Sequence, residues 1–95
     1  MIKHIVFFKL KDRSEEAVQH TAEILRSMDG KIEFVKSLEI GVDVLKTERS
    51  FDISLTAEVD SLEDLQAYQV HPVHQEIIKH MNEVKDTAVA VDYEV

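Results

Sequence analysis

The apolar positions of this chain repeat with two periods, every second residue in some segments and every third or fourth in others. Residues 3–11, KHIVFFKLK, place Val6, Phe8 and Leu10 on one face with His4. Ile5 and Phe7 occupy the other face, ahead of Lys9 and Lys11. Such alternation in a run rich in β-branched and aromatic residues predicts a strand, and apolar residues on both faces predict a central one, covered above and below. Ala17, Val18, Thr21, Ile24, Leu25 and Met28 then recur at helical spacing. They predict a helix over about 14–29, capped by Asp12 or Ser14 and ended by Gly30 in the left-handed conformation.

Alternation returns at residues 33–43 through Leu38, Ile40 and Val42, with Gly41 as a bulge or a point of close approach. Polar residues 43–50 connect to a third strand, where Phe51, Ile53, Leu55, Ala57 and Val59 alternate with Asp52, Ser54, Thr56 and Glu58. Ser61, with Asp64 three positions on, starts a helical region containing Leu62, Leu65 and Tyr68. Pro72 interrupts it, because proline is tolerated only in a first helical turn. The expectation is a short helix to about Tyr68, a corner at His71-Pro72, and a second helix over about 73–84 with Val73, Ile77, Ile78 and Met81 inward. Residues 87–95, TAVAVDYEV, form the last strand.

The order β-α-β-β-α-β predicts an α+β, ferredoxin-like fold across residues 1–95 as a single domain. Right-handed crossovers give a four-stranded antiparallel sheet with strands one and three central and the helices on one face. Nothing in the chain remains to cover the other face. That face is expected to show Ile5, Phe7, Ser54, Thr56, Ala88, Ala90 and Val35. Two large apolar residues on an uncovered central strand call for a partner, here a homodimer packed sheet on sheet.

Charge and composition narrow the partners. Nineteen acidic residues against 11 Lys and Arg give a formal charge of −8, which repels phosphate backbones and anionic membranes. Neither nucleic acid nor membrane is expected as a partner. The absence of cysteine rules out a disulfide framework and a thiolate nucleophile and suits a cytoplasmic protein. The apolar run Ile5–Phe8 is too short for a signal peptide or a membrane span. No cofactor is implied, since the two glycines stand apart and form no phosphate-binding loop. No metal site is expected either: His71, His74 and His80 do not share a helix face, and Glu76 points away from His74.

The opening IKHIVFFKLK, LEIGVD around Gly41, LEDLQAYQVHPVHQEIIKHM and the closing VAVDYEV resemble the stress-responsive A/B barrel domain (Dabb) family across nearly the whole chain. The most specific part is Tyr68-x-x-His71-Pro72-x-His74. The resemblance implies a dimeric α/β barrel, two ferredoxin-like sheets facing each other. Many members have no assigned reaction. One branch, the plant olivetolic acid cyclase type, closes a polyketide by aldol chemistry with a tyrosine and a histidine, positions matched here by Tyr68 and His74. His4 matches a further pocket histidine, whereas Ile53 stands where that cyclase carries another histidine. Haem-degrading enzymes share the architecture, but this chain has no tryptophan and no haem signal of its own.

His4, on the helix-facing side of strand one, would meet Tyr68 and His74 if the 68–74 corner packs over that end of the sheet. Histidine exchanges a proton near neutral pH and a tyrosine hydroxyl steadies a developing enolate, so the pair suits proton abstraction beside a carbonyl. The competing readings are architectural: His71 as the ring that caps a helix end, and His4 as a satisfied core histidine. His20 and His80 are expected on solvated helix faces. Three functions stay open. The first is a small-molecule binding protein with His4 and His71 in the pocket and any reaction unassigned. The second is a lyase or cyclase using Tyr68 and His74, and the third a non-catalytic stability or interaction protein.

Overall fold

The computed structural model describes all residues, Met1–Val95. Its elements are β1 (Ile2–Leu10), α1 (Glu15–Arg26), β2 (Ser37–Val42), β3 (Ile53–Val59), α2 (Leu62–Val70), α3 (Pro72–Val84) and β4 (Lys85–Glu94). They form one four-stranded antiparallel sheet in the order β2-β3-β1-β4, so β1 and β3 are central. The helices lie on one face, where Phe8, Leu10, Ile53, Leu55 and Ala57 of the sheet meet Val18, Ala22, Leu25, Ile77 and Met81. A smaller cluster of Ile32, Val59, Leu65 and Tyr68 closes the α2 end. No helix is long and apolar enough to cross a membrane.

Local chemistry sets the element ends. Ser14 caps α1 by accepting from the Ala17 N–H at 3.3 Å, while Asp12 accepts from the Ser14 N–H at 2.9 Å and orders the approach. The helix stops at Arg26, short of residue 29, and Gly30 takes its positive φ of 78° in the turns that follow. β2 begins only at Ser37, because Ile32 folds into the core through a turn that the Val35 N–H closes on its carbonyl. At Gly41 a Cβ would stand 2.8 Å from the Ser54 hydroxyl, so this glycine marks a close approach within a regular β2–β3 pairing.

The phase of β4 differs from expectation. Ile5 pairs with Val91 and Phe7 with Val89, whereas Val6 pairs with Ala90 and Phe8 with Ala88. Cross-strand partners share a face, so Val89 and Val91 lie on the uncovered face and Ala88 and Ala90 on the helix side. Val35 likewise packs against the core instead of the open face. β4 is an edge strand whose helix-side residues Ala88 and Ala90 stay exposed, and its larger Val89 and Val91 pack beside Ile5 and Phe7. The open face thus carries a stripe in which Phe7 is 43% and Val91 53% exposed, flanked by Ser54 and Thr56 across β3.

Asp52, expected as an outward position of the third strand, is buried just ahead of β3. Its carboxylate accepts from the Leu10 N–H at 2.9 Å and from Arg13 Nε at 3.0 Å. Arg13 also donates to the carbonyls of Thr47 and Ser50, tying the β2–β3 connection to the end of β1. Asp52→Ala would leave a buried N–H and a guanidinium without their acceptor. It is expected to cost about 2–4 kcal/mol in urea unfolding, with Asp52→Asn costing less because one acceptor oxygen remains.

Candidate functional site

The helical region after β3 breaks at one residue. His71 is extended (φ −63°, ψ 136°), ending α2, and Pro72 opens α3 in a first turn that needs no N–H from it. The His71 ring caps the new helix, its Nδ1 accepting from the Val73 N–H at 3.1 Å. In an unbroken helix that N–H would go to the Gln69 carbonyl. Set free, the Gln69 carbonyl accepts instead from His74 Nδ1 at 3.1 Å and from the Gln75 side-chain amide at 2.7 Å. A carbonyl can only accept, so His74 carries its proton on Nδ1 and presents Nε2 as a lone pair.

The same break brings Tyr68 and His74 together, with ring centroids 4.3 Å apart. His4 comes up from β1 and meets Tyr68 edge-on at 5.7 Å. All three line a cavity of about 190 Å³ between the sheet and α3, whose walls are otherwise mostly apolar, among them Val6, Phe8, Leu55, Ile77 and Met81. Tyr68 is 1% exposed, and its buried hydroxyl has no hydrogen-bond partner in the protein. Burial pushes its pKa up to about 12, so it remains a neutral donor. Burial also lowers the His74 pKa, outweighing the opposing effect of the Gln69 carbonyl, with the charges of His4 and His71 adding to the lowering. Near neutral pH His74 is therefore uncharged.

His71 does not line this cavity; its ring caps α3 and stands edge-on to Phe34 at 6.1 Å. Asp92 is the residue that sequence reasoning passed over. It pairs with His4 across the β1–β4 ladder, and its carboxylate hydrogen-bonds His4 Nδ1. The signal lay in the phase of β4: once Val89 and Val91 are turned outward, Asp92 must share the face of His4. A carboxylate on Nδ1 favours the tautomer that leaves Nε2 free. Ile53 is buried in the core opposite Phe8. His80, expected in solvent, is half-buried, edge-on to the exposed His20 at 6.3 Å, with its Nε2 unpartnered. No group of three or more His, Asp or Glu side chains is arranged to hold a metal ion.

Residues 2–95 match the family model for the stress responsive A/B barrel domain, and the chain belongs to that family. A dimeric protein of unknown function and ferredoxin-like fold from Bacteroides fragilis is 31% identical, with 99% of this chain and 95% of that one covered and a TM-score of 0.83. A dimeric ferredoxin-like protein of unknown function from Thermobifida fusca is 24% identical over 99% of this chain and 90% of its own, at a TM-score of 0.86. A hydroxynitrile lyase from Passiflora edulis shares the fold at 17% identity and a TM-score of 0.81, over 99% of this chain and 92% of its own. No curated protein matches the sequence.

The depressed His74 pKa makes a prediction about stability. As pH falls below the ordinary value of 6.5, the unfolded chain takes up a proton that folded His74 resists, so stability is lost on the acid side and recovered above it. His74→Gln removes this contribution. Its thermal midpoint, relative to wild type, is expected to rise on going from about pH 7.5 to about pH 5.5, measured by circular dichroism.

Proposed function

We propose that this member of the stress-responsive A/B barrel family binds a small, largely apolar molecule carrying one carbonyl or hydroxyl oxygen in the cavity between its sheet and α3. The Tyr68 hydroxyl carries the reading. It is a buried donor without a partner in the chain, and such a group costs about 1–3 kcal/mol unless something accepts from it. A ligand oxygen placed against it would recover that cost, with the apolar walls taking the rest of the molecule.

The neutral state of His74 favours a second reading, a lyase or cyclase acting beside a carbonyl. His74 Nε2 would take a proton from the carbon next to the carbonyl. The C–H electron pair moves into the enolate, and Tyr68 donates to the enolate oxygen. His4, oriented by Asp92, would hold the substrate or return the proton. The plant cyclases of the resemblance use a tyrosine and a histidine in aldol chemistry, and Ile53 in place of another of their histidines weakens the carry-over of that particular reaction.

The protein is further proposed to form a homodimer through the open sheet face. Ile5, Phe7, Val89 and Val91 make an apolar stripe that no element of the chain covers, and the similar proteins from Bacteroides fragilis and Thermobifida fusca are dimers. Burying such a stripe against a second copy stabilises each small domain, whose own core is thin.

Measurements on variants check these readings. Tyr68→Phe is expected to leave the free protein as stable as wild type or more so, since it removes an unpaired hydroxyl, yet to weaken a bound small ketone by about tenfold. A clear loss of stability, or unchanged ketone affinity, would overturn the site. Turnover, where found, is expected to fall by roughly 10²-fold or more in His74→Ala. For the dimer, light scattering is expected to give twice the 10.9 kDa chain mass for wild type. Phe7→Glu is expected to give a folded monomer, because a charge buried without a partner costs several kcal/mol.

A further inference from the structure

The cavity has a second polar end, made by an irregularity in β4. Lys9 of β1 pairs with Thr87, but the next residue, Leu10, pairs with Lys85, so Asp86 is passed over. In a regular ladder Asp86 would face Leu10. The bulge substitutes Lys85, turning a cation onto the helix side of the strand where the alternation alone would have put an acid. Lys85 lines the cavity; Asp86 is exposed and does not. Lys85 also makes no ion pair, the cations that do being Arg13, Lys36, Lys79 and His4.

Of the lining, His4 and Tyr68 are buried, His74 and Lys85 half-buried, and Gln69 and Ala88 exposed. Along β1 the lining runs His4, Val6, Phe8, four residues at about 3.3 Å each, or roughly 13 Å. The volume of about 190 Å³ modestly exceeds the roughly 150 Å³ that accommodates benzene in an apolar cavity. One lining thus holds a neutral donor without a partner, Tyr68, and a lysine without an ion pair, Lys85.

We infer that the ligand is a short-chain carboxylic acid, of roughly six to eight carbons by this volume, with a carbonyl or hydroxyl oxygen at the end remote from the carboxylate. Its oxygen meets Tyr68 and its chain lies along Val6, Phe8 and Leu55. Its carboxylate lies against Lys85, whose flexible stem spans the remaining distance. The chain's net charge of −8 repels an anion at long range, so the local cation decides whether an acid is accepted. This inference rests on the cavity being a carbonyl pocket, and it adds the acid.

Two probes separate the two ideas: an eight-carbon keto acid whose ketone sits next to the terminal methyl, and methyl hexyl ketone, which carries a methyl in place of the carboxylate. By isothermal titration the keto acid is expected to bind wild type about fivefold more tightly, an advantage that shrinks as salt is added. The advantage is expected to vanish in both Lys85→Met and Lys85→Gln, which leave methyl hexyl ketone affinity within about twofold. Tyr68→Phe is expected to weaken both probes alike. Equal binding of the two probes to wild type, or an advantage that survives in both lysine variants, overturns the acid while leaving the carbonyl pocket standing. Failure of both probes to bind overturns the pocket and the acid together.

Discussion

The architecture depends on the central strand β1, of which the chain covers one face and leaves the other open. β1 is hydrogen-bonded along both edges, to β3 and β4, and it is apolar on both faces. Its even-numbered residues, His4, Val6, Phe8 and Leu10, look toward the helices, and its odd-numbered residues Ile5 and Phe7 look away. In a chain of 95 residues only one face can be covered from within. The core, the cavity and the open stripe are all set by how this strand alternates.

The cavity owes its chemistry to a second constraint, the helix break at His71-Pro72 that turns the Val73 N–H to the His71 ring. Because the helix cannot pass through that position, the Gln69 carbonyl is released, and the released carbonyl fixes the tautomer of His74. His71, prominent in the sequence motif, serves this arrangement from outside by capping α3. At the sheet, Asp92 does for His4 what Gln69 does for His74. Two imidazoles thus receive defined proton positions from two different devices, a broken helix and a cross-strand carboxylate, around one unpartnered tyrosine hydroxyl.

Much of this was legible in the sequence. The periods of β1 and β3, the Ser61 cap and the proline corner led directly to the element order, because each rests on backbone rules that act locally. The meeting of His4, Tyr68 and His74 was expected only if the 68–74 corner packs over that end of the sheet, and the family resemblance, more than the order, pointed to it. The phase of β4 did not follow from the order. TAVAVDYEV is apolar on both faces, small on one and large on the other, and which set turns outward depends on tertiary packing that the strand's own sequence does not carry. Asp92 was lost with the phase, and the bulge that presents Lys85 leaves no local signal, since Lys85 and Asp86 are equally polar. Asp52 looked like one more solvent-facing strand residue. Its burial depends on Leu10 and Arg13, which are distant in sequence.

The alternation of β1 has a consequence for how such a chain can change over evolutionary time. His4 and Ile5 are adjacent, yet one serves the cavity and the other the uncovered face. Substitution at either position alters one face and spares the other. Inserting or deleting a single residue in this strand would instead exchange the faces of every side chain beyond it, removing the pocket histidine and the outward stripe in one step. Descendants of this chain can therefore diversify the cavity and the uncovered face independently through point changes, while the length of the first strand is held fixed by both at once.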